Sequence, residues 1–170
     1  MVSVGDSFPK GVKFTYVPYT EEKDGVLACG IPTTFDCDKE LFNKKVLIVS
    51  VPGAFTPACT ENHIPPYLQR LADIKAKGVD QVIVTSANDA FVLSAWAKAL
   101  GVRGEIIFAS DPNSSFSKSI GFSQDLTERG LGVRNCRYAL IVDHGKITYA
   151  AKEPGREITV SGIDAVYPKL

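Results

Sequence analysis

One cysteine of this 170-residue chain stands where a thiol could do chemistry. The stretch VPGAFTPACTENHIPPY, residues 51–67, places Cys59 after the apolar run VLIVSV and at the start of a helix-like segment. A thiol reacts as the thiolate, and both the N–H groups of a helix start and a nearby cation favour that anion. Such a thiolate attacks a peroxide oxygen, a disulfide or a carbonyl carbon. Which of these three electrophiles Cys59 attacks depends on the residues around it.

The tetrapeptide TPAC, Thr56–Cys59, narrows the choice of reaction. A dithiol centre of the thioredoxin kind has a cysteine at each end of this motif, whereas this chain has threonine at the first position. A hydroxyl orients a substrate oxygen through hydrogen bonds but forms no disulfide. The motif therefore indicates one attacking sulfur with a polar group beside it. Spacing alone favours a local role for Thr56, in a turn or as a helix N-cap.

His63 follows Cys59 by four residues, so one helical turn places both on the same face. A Cys–His pair could perform acyl transfer in a cysteine hydrolase, for which His63 would be essential. A histidine packed or hydrogen-bonded at a helix kink is at least as good an interpretation. The other histidine, His144, falls in a turn, and two histidines so placed predict no metal site.

The composition is that of an ordinary globular protein, with 45% apolar and 22% charged residues. Nineteen basic residues balance nineteen acidic ones, which leaves no basic surplus for binding nucleic acid or an anionic membrane. No apolar run approaches the roughly 20 residues of a membrane span, and the N-terminus lacks a secretory signal pattern. We expect an intracellular protein whose residues 1–170 form one domain.

Three further cysteines, Cys29, Cys37 and Cys136, are scattered along the chain. No two of the four cysteines form a C-x-x-C pair, so a zinc knuckle is not expected. A reducing compartment also disfavours a structural disulfide. Each of the three could be a small buried hydrophobic residue.

Strands and helices alternate around Cys59. Periodicity predicts strands at residues 12–17, 46–51, 81–87 and 105–110, and two more, CRYALIVD and KITYAAK, joined by a tight turn at His144–Gly145. Helices are predicted at 59–77 with a kink or break at Ile64–Pro66, at 88–101, near SSFSKSIG, and at 162–168. This order predicts an α/β protein with a central mixed sheet flanked by helices and ending in a β-hairpin and a helix. Cys59 then follows the carboxyl end of a buried strand, where such sheets place their sites.

Three stretches carry a resemblance to a known family. PGAFTPAC, residues 52–59, is similar to the P-x-x-x-T-x-x-C signature of peroxiredoxins, and its extension resembles the type-II or fifth-class subfamily. SANDAFVLSAWAKALG and GLGVRNCRYALIVDHG agree with that subfamily. ACGIP and GKITYAAKEP resemble its fungal members, the alkyl hydroperoxide reductase and peroxisomal-membrane-protein-like group. The resemblance covers almost the whole chain and implies a thioredoxin-like fold and a thiol peroxidase.

The resemblance also implies roles for four residues. Cys59 would be the peroxidatic cysteine, and Thr56 would hydrogen-bond the thiolate and the incoming peroxide. Pro52 would shape and shield the pocket. Arg137 would be the cation that holds thiolate and peroxide; without the family it reads as a solvated strand-end arginine. In that role it opposes the charge that develops as the O–O bond breaks.

The implied reaction converts Cys59 to a sulfenic acid, which condenses with a second thiol to a disulfide. Thioredoxin or a glutathione/glutaredoxin system would then reduce the disulfide, in the service of antioxidant defence and redox homeostasis. The family likeness implies a homodimer and no bound cofactor. The alternative is a peroxide sensor, redox relay or chaperone that uses the same cysteine.

The second thiol is where the chain departs from the pattern of the family that it resembles. The positions that animal and plant members use fall here in REITVSGID and VIVTSAND, which contain no cysteine. Cys136 neighbours Arg137 on a predicted strand and so faces away from it. Cys37 lies between two acids that raise its pKa. Cys29 lies in a Gly/Pro-rich loop and resembles the cysteine that some fungal members use to bridge to the partner subunit. We favour Cys29, and the alternative is a one-cysteine enzyme.

The last three residues, Pro168-Lys169-Leu170, are similar to the S-K-L peroxisomal address but have proline in the small-residue position. We therefore expect a cytoplasmic protein, with the peroxisome as the alternative.

Overall fold

One mixed sheet of seven strands runs through the middle of the molecule in this computed structural model, which describes residues 1–170. The strands along the chain are β1 Lys13–Tyr16, β2 Thr33–Asp36, β3 Lys45–Ser50, β4 Gln81–Ser86, β5 Ile107–Ser110, β6 Ser123–Leu126, β7 Gly132–Asn135, β8 Tyr138–Asp143 and β9 Lys146–Lys152. The helices are α1 Cys37–Glu40, α2 Ile64–Gln69, α3 Leu71–Ala76, α4 Ala90–Ala99, α5 Ser115–Ser119 and α6 Ile163–Val166. A π-helical turn spans Ala58–His63, and 3-10 turns span Glu21–Lys23, Pro112–Ser114, Thr127–Arg129 and Tyr167–Lys169.

The strand order in the main sheet is β2-β1-β5-β4-β3-β8-β9, and β6 and β7 form a separate hairpin. The three central strands β3, β4 and β5 are parallel, while β8 pairs with β3 in the antiparallel direction. The central strands are apolar along almost their whole length because both faces of the sheet are covered. The predicted α/β architecture with a mixed central sheet and a C-terminal β-hairpin is confirmed.

Two apolar clusters fill the two faces of the sheet. Neighbouring residues of β3 divide between them, with Leu47 in one and Ile48 in the other, as the two-residue period of a strand requires. We call the cluster that contains Cys59 and Trp96 the Cys59 side, and the cluster that contains Cys37 the Cys37 side. The sheet therefore separates the two buried cysteines.

Of the two β-hairpins β8–β9 and β6–β7, only the first has a turn that the sequence makes recognisable. His144 and Gly145, which join β8 to β9, have φ values of 48° and 82°, as a type I′ turn requires, and the predicted hairpin is present. The β6–β7 hairpin and the short elements β2 and α1 were not predicted. Their strands are four residues long and partly exposed, so they show little hydrophobic alternation.

The helical segment after Cys59 differs from the prediction. A helix over residues 59–77 with a kink or break at Ile64–Pro66 was expected. In the structure the π-helical turn ends at His63, and α2 begins at Ile64 with its two prolines in the first turn. Proline fits there because a first-turn N–H has no helical partner to lose. A second break, which was not predicted, comes at Arg70, which has φ −105° and ψ 17° between α2 and α3. None of the helices is both long and apolar enough to cross a membrane.

Candidate active site

Cys59 lies in the first turn of the π-helical segment and only 1% of its surface is exposed. The loop of residues 51–57 connects it to the carboxyl end of β3, where the sequence predicted the site. Its carbonyl accepts a hydrogen bond from the Ile64 N–H, which joins the π-helical turn to α2. The thiol is thus held inside the Cys59 side, and a substrate must come to it.

Arg137 is the cation that reaches the thiol. It lies immediately before β8, whose first residue Tyr138 pairs with Ser50 at the end of β3. This pairing brings the guanidinium of Arg137, a residue that is 9% exposed, to Cys59, and Nη2 donates to Sγ at 3.4 Å. A cation at this distance in a buried site stabilises negative charge on the sulfur. The structure therefore brings together two of the residues that the resemblance paired, although they are 78 positions apart.

His63 meets the other end of the same guanidinium. Arg137 Nη1 lies 3.0 Å from His63 Nδ1, and because a guanidinium only donates, Nδ1 is the acceptor. The imidazole proton is therefore on Nε2, which donates to the Ser161 carbonyl at 2.9 Å. Burial lowers the pKa of His63 from its ordinary 6.5 to about 4, and Arg137 acts in the same direction. His63 is neutral and its free lone pair is occupied, which argues against the hydrolase interpretation.

Glu153 anchors the far end of this chain of contacts. Its Oε1 accepts from the backbone N–H groups of Ser161 and Thr159 at 2.7 Å and 2.8 Å, and from the Ser161 hydroxyl at 2.7 Å. Its Oε2 accepts from the Thr159 hydroxyl at 2.6 Å. Burial acts to raise the pKa of Glu153, but these hydrogen bonds outweigh it and hold the pKa below its usual range. A fully bonded carboxylate thus lies behind His63, and no local sequence motif indicates it.

Thr56 does not make the contact that the resemblance implied. Its hydroxyl donates to the Gly53 carbonyl at 2.7 Å rather than to the Cys59 sulfur. The turn that creates this bond includes Phe55, whose φ of 57° lies in the left-handed region. Thr56 therefore closes the turn before the cysteine, which is the local role that its spacing favoured. Its hydroxyl oxygen keeps lone pairs that can accept a hydrogen bond from a substrate.

The loop that contains Pro52 is fixed by two residues that sequence reasoning missed. Arg134 on β7 donates through Nη1 to the Pro52 carbonyl at 3.1 Å, and Asn88 Oδ1 accepts from the Ala54 N–H at 2.8 Å. Between them Gly53 is closely enclosed, since a Cβ there would lie 3.0 Å from Arg134 Nη1 and 3.1 Å from Thr56 Cγ2. Both residues belong to the stretches that carry the family likeness, and this was the available signal.

All four cysteines are free, and they differ in surroundings. Cys37 begins α1 on the Cys37 side, and burial, followed by the charges of Asp36 and Asp38, raises its pKa to about 12. Cys136 lies between β7 and β8 and not on a strand as predicted, and its N–H donates to the Phe122 carbonyl at 2.7 Å. It packs against the Cys37 side, so it does face away from Arg137, and burial raises its pKa.

Cys29 is the exposed cysteine. The backbone of the loop that contains it is held by hydrogen bonds from a lysine of α4. Lys98 of α4, only 7% exposed, donates through Nζ to the carbonyls of Ala28 at 2.7 Å and Gly25 at 3.4 Å. No cluster of three or more His, Cys, Asp or Glu side chains is arranged to hold a metal ion.

Comparison with known proteins gives a consistent result. The profile of the family described as Redoxin matches residues 3–167. The chain is 49% identical to "Peroxiredoxin Pen c 3" of Penicillium citrinum over 99% of both chains. It is 52% identical to a "Putative peroxisomal peroxiredoxin" of Lipomyces kononenkoae, over 97% of this chain and 99% of the relative. Its structure is similar to that of reduced Prx3 in complex with H₂O₂ from Vibrio vulnificus, with a TM-score of 0.86 and 33% identity over 99% and 98% of the chains.

Proposed function

Because the chain belongs to the Redoxin family, as a type-II-like peroxiredoxin with fungal relatives, we propose that Cys59 is its peroxidatic nucleophile. The protein is a thiol peroxidase: it reduces a hydroperoxide and a thiol reductant restores it. The observation that carries the assignment to Cys59 is its contact with Arg137 Nη2 at 3.4 Å inside a buried site. No hydrogen bond from an arginine or lysine side chain reaches the sulfur of Cys29, Cys37 or Cys136.

The first step is attack of the Cys59 thiolate on the distal oxygen of the hydroperoxide. An S–O bond forms, the O–O bond breaks, and the leaving oxygen takes a proton to become water or an alcohol. Sulfur loses two electrons and becomes a sulfenic acid. The Arg137 guanidinium stabilises the negative charge that moves from sulfur to the leaving oxygen, without reorganising at the moment of reaction.

Thr56 and Pro52 shape the place where the peroxide binds. Since the Thr56 hydroxyl proton is held by Gly53, its oxygen is left to accept a hydrogen bond from the peroxide O–H. Pro52 is half-buried, and its backbone is held by Arg134 at the edge of the site. A rigid loop of this kind limits the entry of water and holds the substrate in line with the sulfur.

The second step is resolution by Cys29 of the other subunit of a homodimer. The thiol of Cys29 condenses with the sulfenic acid, releasing water and forming a disulfide that thioredoxin or a glutathione/glutaredoxin system reduces. Cys29 is exposed, and the flanking Leu27 and Ile31 are 94% and 87% exposed, which favours contact with a second chain. Because a disulfide needs Cα atoms within about 7 Å, the π-helical turn must unwind to release the buried Cys59.

We also propose that residues 1–170 form a single domain that works in the cytoplasm. The peroxisome stays the alternative, and one relative is named peroxisomal. Leu170 packs against the Cys59 side and Tyr167–Lys169 form a 3-10 turn, so the last three residues do not extend as a free tail. Imaging of the tagged chain with peroxisomal and cytoplasmic markers tests the compartment.

Peptide mapping tests the assignment of Cys59. The reduced protein receives one equivalent of H₂O₂ with and without a trap for sulfenic acids, and each cysteine peptide is then identified by mass. We expect the trapped adduct on Cys59 and, without the trap, a disulfide between Cys59 and Cys29. First oxidation at Cys37 or Cys136 would contradict the proposal. Oxidation of Cys59 without turnover by thioredoxin or glutaredoxin would indicate a peroxide sensor instead of a peroxidase.

A further inference from the structure

Arg137 is held by more than its contact with the thiol. Its Nη2 faces Cys59, its Nη1 faces His63, and its backbone carbonyl accepts from the Glu153 N–H at 2.9 Å. Glu153, the residue after β9, is thus hydrogen-bonded to Arg137 through the backbone just beyond the β8–β9 ladder. Its side chain also begins the contacts that lead through Ser161 and His63 back to the Arg137 guanidinium. These contacts form a closed ring of buried polar groups behind the sulfur.

We propose that Glu153, Ser161 and His63 form a positioning relay that holds the Arg137 guanidinium against Cys59 and the incoming peroxide. The inference rests on the proposed function, since Arg137 has to act on the peroxide for its position to matter. None of the three residues contacts the sulfur through a hydrogen bond, so they act on the reaction only through Arg137.

The direction of each hydrogen bond in the relay is fixed. Glu153 is negative and only accepts, so the Ser161 hydroxyl donates to it at 2.7 Å. The Ser161 carbonyl, at 2.9 Å, and the hydroxyl oxygen, at 3.3 Å, then both face His63 Nε2 as acceptors. Nε2 has to carry the proton, which leaves the Nδ1 lone pair for Arg137 at 3.0 Å. The Ser161 carbonyl and the Arg137 guanidinium thus require the same imidazole tautomer, and Glu153 reinforces it by holding the Ser161 hydroxyl proton away from Nε2.

Positioning matters because arginine has a long side chain with many rotamers. Fixing both ends of the guanidinium in the resting enzyme removes a reorganisation that would otherwise accompany the transition state. One contact with sulfur would leave the fork free to rotate about that contact. The His63 contact prevents this rotation, and Glu153 and Ser161 keep the His63 ring in place.

The experiment separates this role from a merely structural one by a double-mutant cycle. His63→Leu removes the acceptor, whereas His63→Asn keeps an oxygen at the position of Nδ1. Glu153→Gln removes the charge that orders Ser161 and is the milder change should His63→Leu fold poorly. Each variant is made in the wild-type and the Arg137→Lys backgrounds, and the second-order rate constant with H₂O₂ is measured in single turnovers on protein shown to be folded.

We expect His63→Leu to lower the rate constant about tenfold, the size of one lost hydrogen bond to a charged group, and Glu153→Gln to lower it about threefold. His63→Asn should recover most of the loss caused by His63→Leu. In the Arg137→Lys background, where the guanidinium fork is absent, both losses should shrink to less than about twofold.

Equal losses in the two backgrounds, or equal rates for His63→Asn and His63→Leu, would overturn the relay and leave the peroxidase assignment intact. If Arg137→Lys itself reacts at the wild-type rate, the proposed role of Arg137 fails together with the relay. A failure of Cys59 as nucleophile would appear separately, in the peptide map.

Discussion

Cys59 and Cys37 are both almost fully buried, and each lies in the first turn of a helical segment, on opposite sides of the same sheet. Their electrostatic surroundings are opposite. Cys59 has the Arg137 guanidinium at 3.4 Å, whereas Cys37 has the carboxylates of Asp36 and Asp38 as chain neighbours and a pKa raised to about 12. A helix start therefore does not make a thiol reactive. The charge that the fold brings to the sulfur from a distant part of the chain separates the two sites.

The polar groups around the two cysteines also serve different purposes. On the Cys37 side, the Asp36 carboxylate accepts from the Asp38 N–H and caps α1, so acids are there to stabilise a helix start. On the Cys59 side, buried Glu153 and His63 are linked to a cation that faces the sulfur. The first arrangement keeps a thiol protonated, and the second prepares a site for negative charge.

The largest difference should appear when each cysteine is removed. Cys59→Ser is expected to consume no peroxide in a single turnover, because a hydroxyl is not ionised at neutral pH and is a poor nucleophile. Cys37→Ser should react at the wild-type rate, and Cys136→Ser is a second control. Stopped-flow measurement with H₂O₂ gives the rate of peroxide consumption in the first turnover. Appreciable consumption by Cys59→Ser would show that Cys59 is not the peroxidatic cysteine.

The next largest effect should come from the cation. Arg137→Lys keeps the charge but loses the planar fork that reaches both the sulfur and His63, and we expect the rate constant with H₂O₂ to fall about tenfold or more. Arg103→Lys is the matched control, since Arg103 pairs with Asp24 on another part of the molecule. An unchanged rate in Arg137→Lys would show that this arginine is structural.

Removal of Cys29 should affect the second step and spare the first. Cys29→Ser should abolish the covalent dimer seen on a non-reducing gel after one equivalent of peroxide. It should also slow thioredoxin-dependent turnover several-fold, while sulfenic acid still forms on Cys59. A dimer band that persists in Cys29→Ser and disappears in Cys37→Ser would move the resolving role to Cys37. A wild-type protein that stays monomeric without any internal disulfide would indicate a one-cysteine enzyme.

The strands that position the site can be predicted from the sequence, whereas most of the side-chain contacts in the site cannot. Continuous apolar runs reveal β3 and β4, and the His144–Gly145 turn reveals the β8–β9 hairpin, so the position of Cys59 at a strand end could be predicted. The link from Glu153 to His63 could not, because it joins residues about ninety positions apart that no motif connects. Four-residue strands such as β2 and β6 were missed, since their pairing depends on tertiary contacts and not on periodicity.

The neutral His63 on the Cys59 side should make stability depend on pH. Its pKa is about 4 in the folded protein against an ordinary 6.5, so between these values the unfolded chain binds a proton that the folded chain excludes. The contribution of neutral His63 to the free energy of unfolding is therefore complete above pH 6.5 and is lost as the pH falls from 6.5 to 4. Between pH 7 and pH 5 the free energy of unfolding should fall by about 2 kcal/mol. Arg137 and Glu153 are the charged groups that face His63.

Urea unfolding at pH 7 and pH 5 measures this difference. His63→Asn, which cannot titrate, should show a pH dependence smaller by about 2 kcal/mol. Staying at pH 5 and above limits the effect of Glu153, because a carboxylate with a depressed pKa loses its contribution to stability at more acidic pH. The same pH dependence in both proteins would show that folding does not lower the pKa of His63 and that the residue is protonated at pH 5 in the folded state.

The smallest effect should follow from removing an acid beside Cys37. Burial is the largest cause of the raised pKa of Cys37, and the charges of Asp36 and Asp38 come after it. Asp36→Asn removes one charge and preserves the helix cap, since asparagine caps as well as aspartate. The thiol should stay protonated near neutral pH, and its alkylation by iodoacetamide in the folded protein should rise by less than about threefold.

Leu41→Ala removes a buried side chain that lines the same cavity as Cys37 and should raise alkylation more than Asp36→Asn does. The reverse order would mean that the neighbouring acids, more than burial, keep this thiol unreactive.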